Sequence, residues 1–433
     1  MARSVFADRQ GRIYDHPYLE MAGRSGHRWV RVPEEELIPL PEGSRLFFLP
    51  EREGCGYDPA RGQFVTTRLA SRGDRRLRGL AVSAFLPPGY TRTFLPAAMP
   101  SKKARTLPLW SYTALGWREE GLVAAAVRTD PVDHWESRHY DDRIVVRQIE
   151  IRLSSSPANR LLRQLARCAL EYHCLAAKNL FLARWEAPLP TSPTCNSSCL
   201  GCLSLQPSDC CPASQERIDF VPTVEEIVEI AVHHLSVAAQ GIVSFGQGCE
   251  GEPLLQASLL ERSIREIRAR TDRGTIHLNT NGSDPAAVER LCRAGLDSIR
   301  ISLNSTRSSL YSAYFRPRGF GLTQVEESIL RGKEQGAFVS INLLVFPGVS
   351  DEEEEVEGLL KLVEATGLNM VQMRNLSIDP DLYLRIVPQR HRSPLGIRNL
   401  LRLLRREFPA LEIGYFNRPR ELFGTILCQN LAF

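Results

Sequence analysis

The chain has 433 residues, 43% hydrophobic and 24% charged, with a formal net charge of +4. These are the proportions of an ordinary globular protein of more than one domain. The first 150 residues carry 23 basic and 19 acidic side chains and the remainder 31 of each, so neither a strongly basic nor a strongly acidic class is indicated. No apolar run approaches the ~20 residues of a membrane helix, and Met1–Asp8 lacks the apolar core of a secretory signal. Eleven cysteines, an odd number in a chain this long, point to a reducing cytoplasm rather than a disulfide scaffold.

Residues 1–150 read as short strands broken by Pro and Gly, among them Pro33, Pro39, Pro41, Gly43, Pro87, Pro88 and Gly89. Strand patterns fall at Arg45–Leu49, Gln63–Leu69, Leu80–Leu86 and Arg143–Leu153, which predicts a mostly β N-terminal accessory domain. From Ser156 to Trp185, apolar residues such as Leu161, Leu165, Cys168, Tyr172 and Phe181 recur at helical spacing. One long connecting helix is expected over 151–185, capped by Asn159 or the preceding serines.

Residues 186–415 then alternate strand and helix. Strands are expected at Ile242–Gly246, Thr275–Thr280, Ser298–Ser302, Val339–Val345 and Met370–Arg374, with one more before a cysteine-rich loop. Helices are expected at Thr223–Ala239, Leu254–Arg270, Pro285–Ala294, Thr323–Gln335, Asp351–Thr366 and Ser393–Phe408. Thr223 followed by Glu226 is a capping box. Alternation of this kind makes a parallel sheet, so the chain is α/β. Residues 416–433 read as a C-terminal tail.

The loop holds Cys195, Cys199 and Cys202 as C-N-S-S-C-L-G-C. Three thiolates so spaced can hold three irons of a [4Fe–4S] cube, leaving the fourth iron for a ligand that is not protein. Structural zinc usually takes two separated pairs, and a ferredoxin run is CxxCxxC.

This CxxxCxxC, followed in order by Gly251-Glu252-Pro253, Thr280-Asn281-Gly282, Ser302-Leu303-Asn304 and Phe346-Pro347-Gly348, resembles the radical S-adenosylmethionine (radical SAM) superfamily over roughly residues 180–415. The resemblance implies a partial (β/α)6 TIM-like barrel with its chemistry at the C-terminal strand ends. It implies a [4Fe–4S] cluster on Cys195, Cys199 and Cys202, and S-adenosylmethionine on the open iron. Reductive cleavage then yields a 5′-deoxyadenosyl radical that takes hydrogen from a substrate. Cys249-Glu250-Gly251-Glu252-Pro253 looks like the family's GGE segment, with Glu250 in place of the first glycine. Glu252, with Gly251, matches the position that binds the cofactor's amino group, and a carboxylate suits a cationic amine. Asn281, Ser302 and Asn304 match ribose or carboxylate contacts, and Gly348 a loop beside the adenine. The family usually has an aromatic residue before the third cysteine. Here it is Gly201, so the adenine contact comes from elsewhere or the loop is tighter.

Cys210, Cys211 and Cys249 stand near the motif, either as ligands of a second cluster or as small buried hydrophobes. His134-Trp135 and His139-Tyr140 could line a substrate path or pack at a domain boundary. The basic stretch Arg68–Arg78, interrupted by Asp74, could meet RNA or be a solvated face. A reductant protein such as flavodoxin or ferredoxin is the expected partner. The substrate is open between a peptide or protein, tRNA and a small metabolite. The competing class is a non-catalytic Fe–S or metal-binding protein, an electron carrier or assembly scaffold, which explains the cysteines but not Glu252.

Overall fold

The computed structural model describes residues 1–69, 77–206, 211–388, 393–428, 431 and 433. Part of the Arg68–Arg78 stretch and Cys210 lie outside them. Most of the first 130 residues form an antiparallel sheet. Its path runs from Tyr90–Arg92 through Gly121–Arg128, Leu115–Arg118, Arg3–Ala7, Leu80–Phe85, Arg45–Asp58 and Ile13–Ser25 to Leu95–Pro96. The N-terminal region is sheet-rich, as expected. The strand expected at Arg143–Leu153 is instead inside helix α1, Asp142–Ser155, whose N-terminus is capped by the Asp141 side chain accepting from Arg143 N. The alternating Ile149 and Ile151 misled: Val145 and Ile149 are buried four residues apart, while Ile151 is 51% exposed.

The single helix expected over 151–185 is broken. After α1 come α2 (Arg160–Leu170) and α3 (Leu175–Phe181). Asn159 caps α2 by accepting from Leu162 N, and His173 sits at φ 50 between α2 and α3, a backbone no continuous helix permits.

Beyond this connector seven parallel strands form one sheet in sequence order: β1 (Glu186–Pro188), β2 (Ile242–Phe245), β3 (Thr275–Thr280), β4 (Ser298–Leu303), β5 (Phe338–Val345), β6 (Met370–Asn375) and β7 (Glu412–Gly414). Six strands were expected; β7, three residues long, was not. The helices between them are α4 (Val224–Val237), α5 (Ala257–Arg270), α6 (Pro285–Ala294), α7 (Ser308–Phe315), α8 (Leu322–Glu334), α9 (Glu353–Thr366), α10 (Pro380–Ile386) and α11 (Ile397–Glu407). The capping box of Thr223 and Glu226 starts α4 as expected. The edge strands β1 and β7 are not paired with each other. Asn417, just after β7, instead donates from Nδ2 to Glu186 Oε1 on β1 at 2.8 Å.

The N-terminal sheet is fastened to the outgoing ends of β5 and β6. Arg92, fully buried, donates to Leu376 O at 2.8 Å and Tyr112 O at 3.2 Å. Asn375 donates to Tyr90 O at 2.8 Å and accepts from Arg92 N at 2.9 Å. Arg52 pairs with Asp379 at 2.9 Å, both side chains under 5% exposed, and Leu107 N donates to the same carboxylate at 2.8 Å. Removing one member of a buried pair leaves an uncompensated charge. Asp379→Asn is therefore expected to lower stability by about 3 kcal/mol, read as a lower urea midpoint for the full chain.

Candidate active site

The outgoing strand ends surround a cavity of about 580 Å³. Cys195, Cys199 and Cys202 all line it, as do Glu252, Thr280 and Asn281. The cysteine loop leaves β1 and is held from several sides. Ser198 N donates to Phe315 O at 3.1 Å and Leu200 N to Tyr314 O at 3.0 Å, both from α7. Arg318 donates to Cys195 O at 2.6 Å, and Gln206 Nε2 to Cys202 O at 2.7 Å.

Glu250 governs where this loop begins. Its buried carboxylate accepts from Gly246 N at 2.6 Å and Gln247 N at 2.9 Å at the end of β2. The other oxygen accepts from Thr191 N at 2.7 Å, Ser192 N at 3.0 Å and Thr191 Oγ1 at 3.1 Å. The residue that departs from the family's first glycine thus ties the cysteine loop to the next strand. Alongside it Gly251 N donates to Ser192 O at 2.7 Å and Glu252 N to Thr194 O at 2.8 Å. A Cβ at position 251 would lie 1.9 Å from Thr194 O, so this approach admits only glycine.

Glu252 is buried, and its Oε1 accepts from Thr280 Oγ1 at 2.5 Å and Leu254 N at 3.0 Å. Its Oε2 accepts from Asn281 N at 2.8 Å. A carboxylate has about four acceptor sites, so three donors leave room for one more. Burial raises its pKa to about 7, against the donation from Thr280 and Asn281 N.

The other predicted residues divide. Ser302 lines the cavity. Asn281 also lines it, and its Nδ2 donates to Asn196 Oδ1 in the cysteine loop at 2.7 Å. Asn304 is not on the cavity wall: it is buried behind it, donating to Tyr383 Oη at 3.3 Å. Nor is Gly348, at φ +84, whose Cα packs on the N-terminal domain so closely that a Cβ would sit 1.9 Å from Gly26 N. Its place is a domain contact, reinforced by Gly26 N donating to Pro347 O at 2.9 Å. Position 201 is tight as well: a Cβ there would meet Tyr314 Oη at 2.9 Å and Ser377 O at 3.1 Å. Tyr314 and Phe315 of α7 line the cavity beside it.

Arg217 was not anticipated. Its Nη2 lies 3.5 Å from Cys202 Sγ and its Nε donates to Ser204 Oγ at 3.1 Å. Nothing in the sequence around it marks it. Burial pushes the Cys195 and Cys199 thiols up, and Arg217 opposes this at both. Cys211 is buried with its Sγ 3.6 Å from Leu107 O. Cys249 is buried against the Cys168 thiol, which with burial raises its pKa well above the ordinary value. His134 packs on Trp185, ring centroids 3.8 Å apart, whereas Trp135 reaches the cavity wall. His139 is 3.5 Å from Asp133, and Tyr140 donates to Asn179 Oδ1 at 3.0 Å.

The donor set suits an iron–sulfur cube. Three soft thiols share one backbone-pinned loop, with a guanidinium at one sulfur to favour the thiolate. Among the described residues no three His, Cys, Asp or Glu converge as ligands of a single ion; thiolates of a cube bind separate irons.

The sequence model of the radical SAM superfamily matches residues 189–363, a span that contains every one of these cavity motifs. This stretch matches the radical SAM superfamily. Its members are enzymes that use a [4Fe–4S] cluster and S-adenosylmethionine. Among solved structures, native anSMEcpe with bound AdoMet is similar at 18% identity and TM-score 0.36, over 45% of this chain and 52% of that one. The FeFe-hydrogenase maturase HydG from Carboxydothermus hydrogenoformans is similar at 17% identity and TM-score 0.36, over 63% and 69%. A radical SAM methyltransferase from Sphaerobacter thermophilus shares 13% identity with TM-score 0.36, over 74% and 75%. This chain therefore spans about half the length of the first. No helix among the described residues is long and apolar enough to cross a membrane.

Glu252 matches the family position for the cofactor's amino group, and an acceptor there would depend on its protonation state. With a pKa near 7, the carboxylate is ionised above neutrality and protonated below. S-adenosylmethionine affinity of the cluster-loaded protein is expected to fall as pH drops below 7, approaching about tenfold per unit. Equilibrium binding between pH 5.5 and 7.5 checks this, and the slope disappears in Glu252→Gln.

Proposed function

We propose that this protein cleaves S-adenosylmethionine reductively and directs the resulting radical at hydrogen on a substrate held in the same cavity. The observation that carries this reading is the shared cavity itself: three cluster thiols and the Glu252 carboxylate line it together. An electron carrier or assembly scaffold needs the thiols but has no use for a buried acceptor aimed at an amine.

When bound, the cluster and S-adenosylmethionine supply one-electron chemistry and the radical. The chain supplies position and shelter. Cys195, Cys199 and Cys202 hold the cluster, with Arg217 offsetting its negative charge at Cys202. Glu252 accepts from the cofactor's amine, in a place fixed by Thr280 and Asn281. Tyr314 or Phe315 supplies the aromatic face that Gly201 lacks. Pro88 and Trp135 of the N-terminal region close one side of the cavity, which supports a role for that region in substrate recognition. Asn304 and Gly348 act through packing rather than contact. A flavodoxin or ferredoxin supplies the electron. A peptide or protein, tRNA or a small metabolite remains the substrate class on this reading. Lys102, Lys103 and Arg105 are exposed and compatible with an acidic partner.

The test is anaerobic reconstitution with iron and sulfide, followed by 5′-deoxyadenosine assay with S-adenosylmethionine and dithionite. Wild type is expected to form 5′-deoxyadenosine, with Cys199→Ala reduced to background. A wild-type cluster that never cleaves the cofactor, with or without cell extract as substrate source, overturns the proposal.

A further inference from the structure

One wall of the cavity carries two arginines that no carboxylate among the described residues pairs with directly. Arg300 rises from β4 and Arg374 stands on β6, and both line the cavity. Arg300 Nη1 donates to Gln372 Oε1 at 2.9 Å, a neutral partner. The Arg374 side chain makes no hydrogen bond to any described residue. Its Nε is buried without a partner, and its guanidinium carbon lies 4.1 Å from the centroid of the Tyr415 ring. Among the described residues no carboxylate stands within ion-pair distance of either. Glu186, the acid whose charge acts on Arg300, has its Oε1 engaged by Asn417 at 2.8 Å and by Ser244. Burial, and then repulsion from Arg374, lowers the pKa of Arg300 to about 9, so Arg300 remains cationic at neutral pH.

Two further orphaned polar atoms line the same cavity. Trp135 Nε1 and Asn342 Oδ1 are buried with no partner among the described residues. Buried polar atoms are seldom left without partners, because their desolvation is then uncompensated. Three of them on one cavity wall, two donors and one acceptor, point to a ligand that makes those bonds. The wall is not the amine site: Glu252 and Thr280 belong to the ends of β2 and β3, while Arg374 stands on β6, with β4 and β5 between them.

We propose that Arg300 and Arg374 bind a carboxylate of the substrate, with the Trp135 indole N–H donating to the same molecule and Asn342 accepting from it. Two guanidiniums against Glu186 leave one net positive charge, which one carboxylate balances. Guanidinium forks match carboxylate geometry. A nucleic-acid phosphodiester fits less well. Nucleic acids need many phosphates neutralised, and residues 151–433 carry 31 basic and 31 acidic side chains. The inference rests on the radical SAM reading of this cavity and names the substrate class for it.

The test uses the reconstituted full chain and calorimetric titration under anaerobic conditions. The probes are N-acetyl amino acids, each as the free acid and as the primary amide, the dinucleotide UpU as a phosphodiester, and S-adenosylmethionine. At least one free acid is expected to bind wild type about tenfold or more tightly than its amide. Arg374→Gln and Arg300→Gln should abolish that preference, Arg374→Lys should restore part of it, and S-adenosylmethionine affinity should be unchanged in all three. The circular dichroism spectrum identifies any variant that has not folded, and the other variants then decide. No acid preference in wild type, a preference retained in both Gln variants, preferential binding of UpU, or a parallel loss of S-adenosylmethionine affinity overturns the proposal. Acid preference in a protein that never yields 5′-deoxyadenosine leaves the carboxylate site standing and removes the radical reading. Cofactor cleavage without acid preference does the reverse.

Discussion

The Glu250 carboxylate is the constraint on which the site depends. It accepts five hydrogen bonds, two from the end of β2 and three from residues 191 and 192. A buried carboxylate so fully satisfied tolerates its burial better than an unpaired one. The geometry follows from that. With Thr191 and Ser192 fixed to Gly246 and Gln247, the chain from Ser192 to Thr194 runs beside Gly251 and Glu252. The cysteine loop and the Glu252 carboxylate are therefore positioned by one side chain. Residues on separate loops come to share a cavity because a single buried acid measures the distance between them.

Much of this was legible in the sequence. The cysteine spacing, Glu252 and the ordered strand-end motifs could be read because each is local: the functional group and its structural signal lie within a few residues. The parallel sheet was legible because β2 to β6 alternate along the chain with capped helices such as α4. What escaped is short or non-local. Strand β7 and helices α7 and α10 are too brief for a period to declare itself. Yet α7 supplies the two carbonyls that pin the cysteine loop and the aromatic rings beside Gly201. Arg217, Arg300 and Arg374 are three arginines in a chain with 54 basic residues, and only the fold distinguishes them. Gly348 and Asn304 show the opposite failure. Both match a motif, but Gly348 is used up by the backbone of Gly26 and Asn304 by Tyr383.

The seam between the two parts of the chain explains the fate of Gly348. The N-terminal sheet bonds to the ends of β5 and β6 through Arg92, Asn375 and Thr91, which donates to Met373 O at 3.1 Å. These are the strand ends from which a loop would otherwise reach over the cavity. The loop after β5 is drawn to the N-terminal domain, and that domain returns Pro88 and Trp135 to the cavity wall. An N-terminal sheet attached this way cannot move independently without breaking buried hydrogen bonds. Its contribution to the cavity is fixed geometry rather than a swinging lid.

The interior of the sheet completes the logic. Glu186, Asn417, Gln372 and Arg300 form a chain of hydrogen bonds from β1 across the open edge to β6 and β4. This polar chain joins strands that backbone pairing leaves apart, since β1 and β7 do not bond to each other. A dry apolar floor would pack better at lower cost in desolvation. A floor of amides and guanidiniums makes sense only if the cavity above it receives polar cargo. The polar atoms facing that cavity without partners follow the same rule: the Glu186–Arg300 chain is satisfied wherever it closes the sheet, and Arg374, Asn342 and Trp135 are left unmade where it meets the cavity.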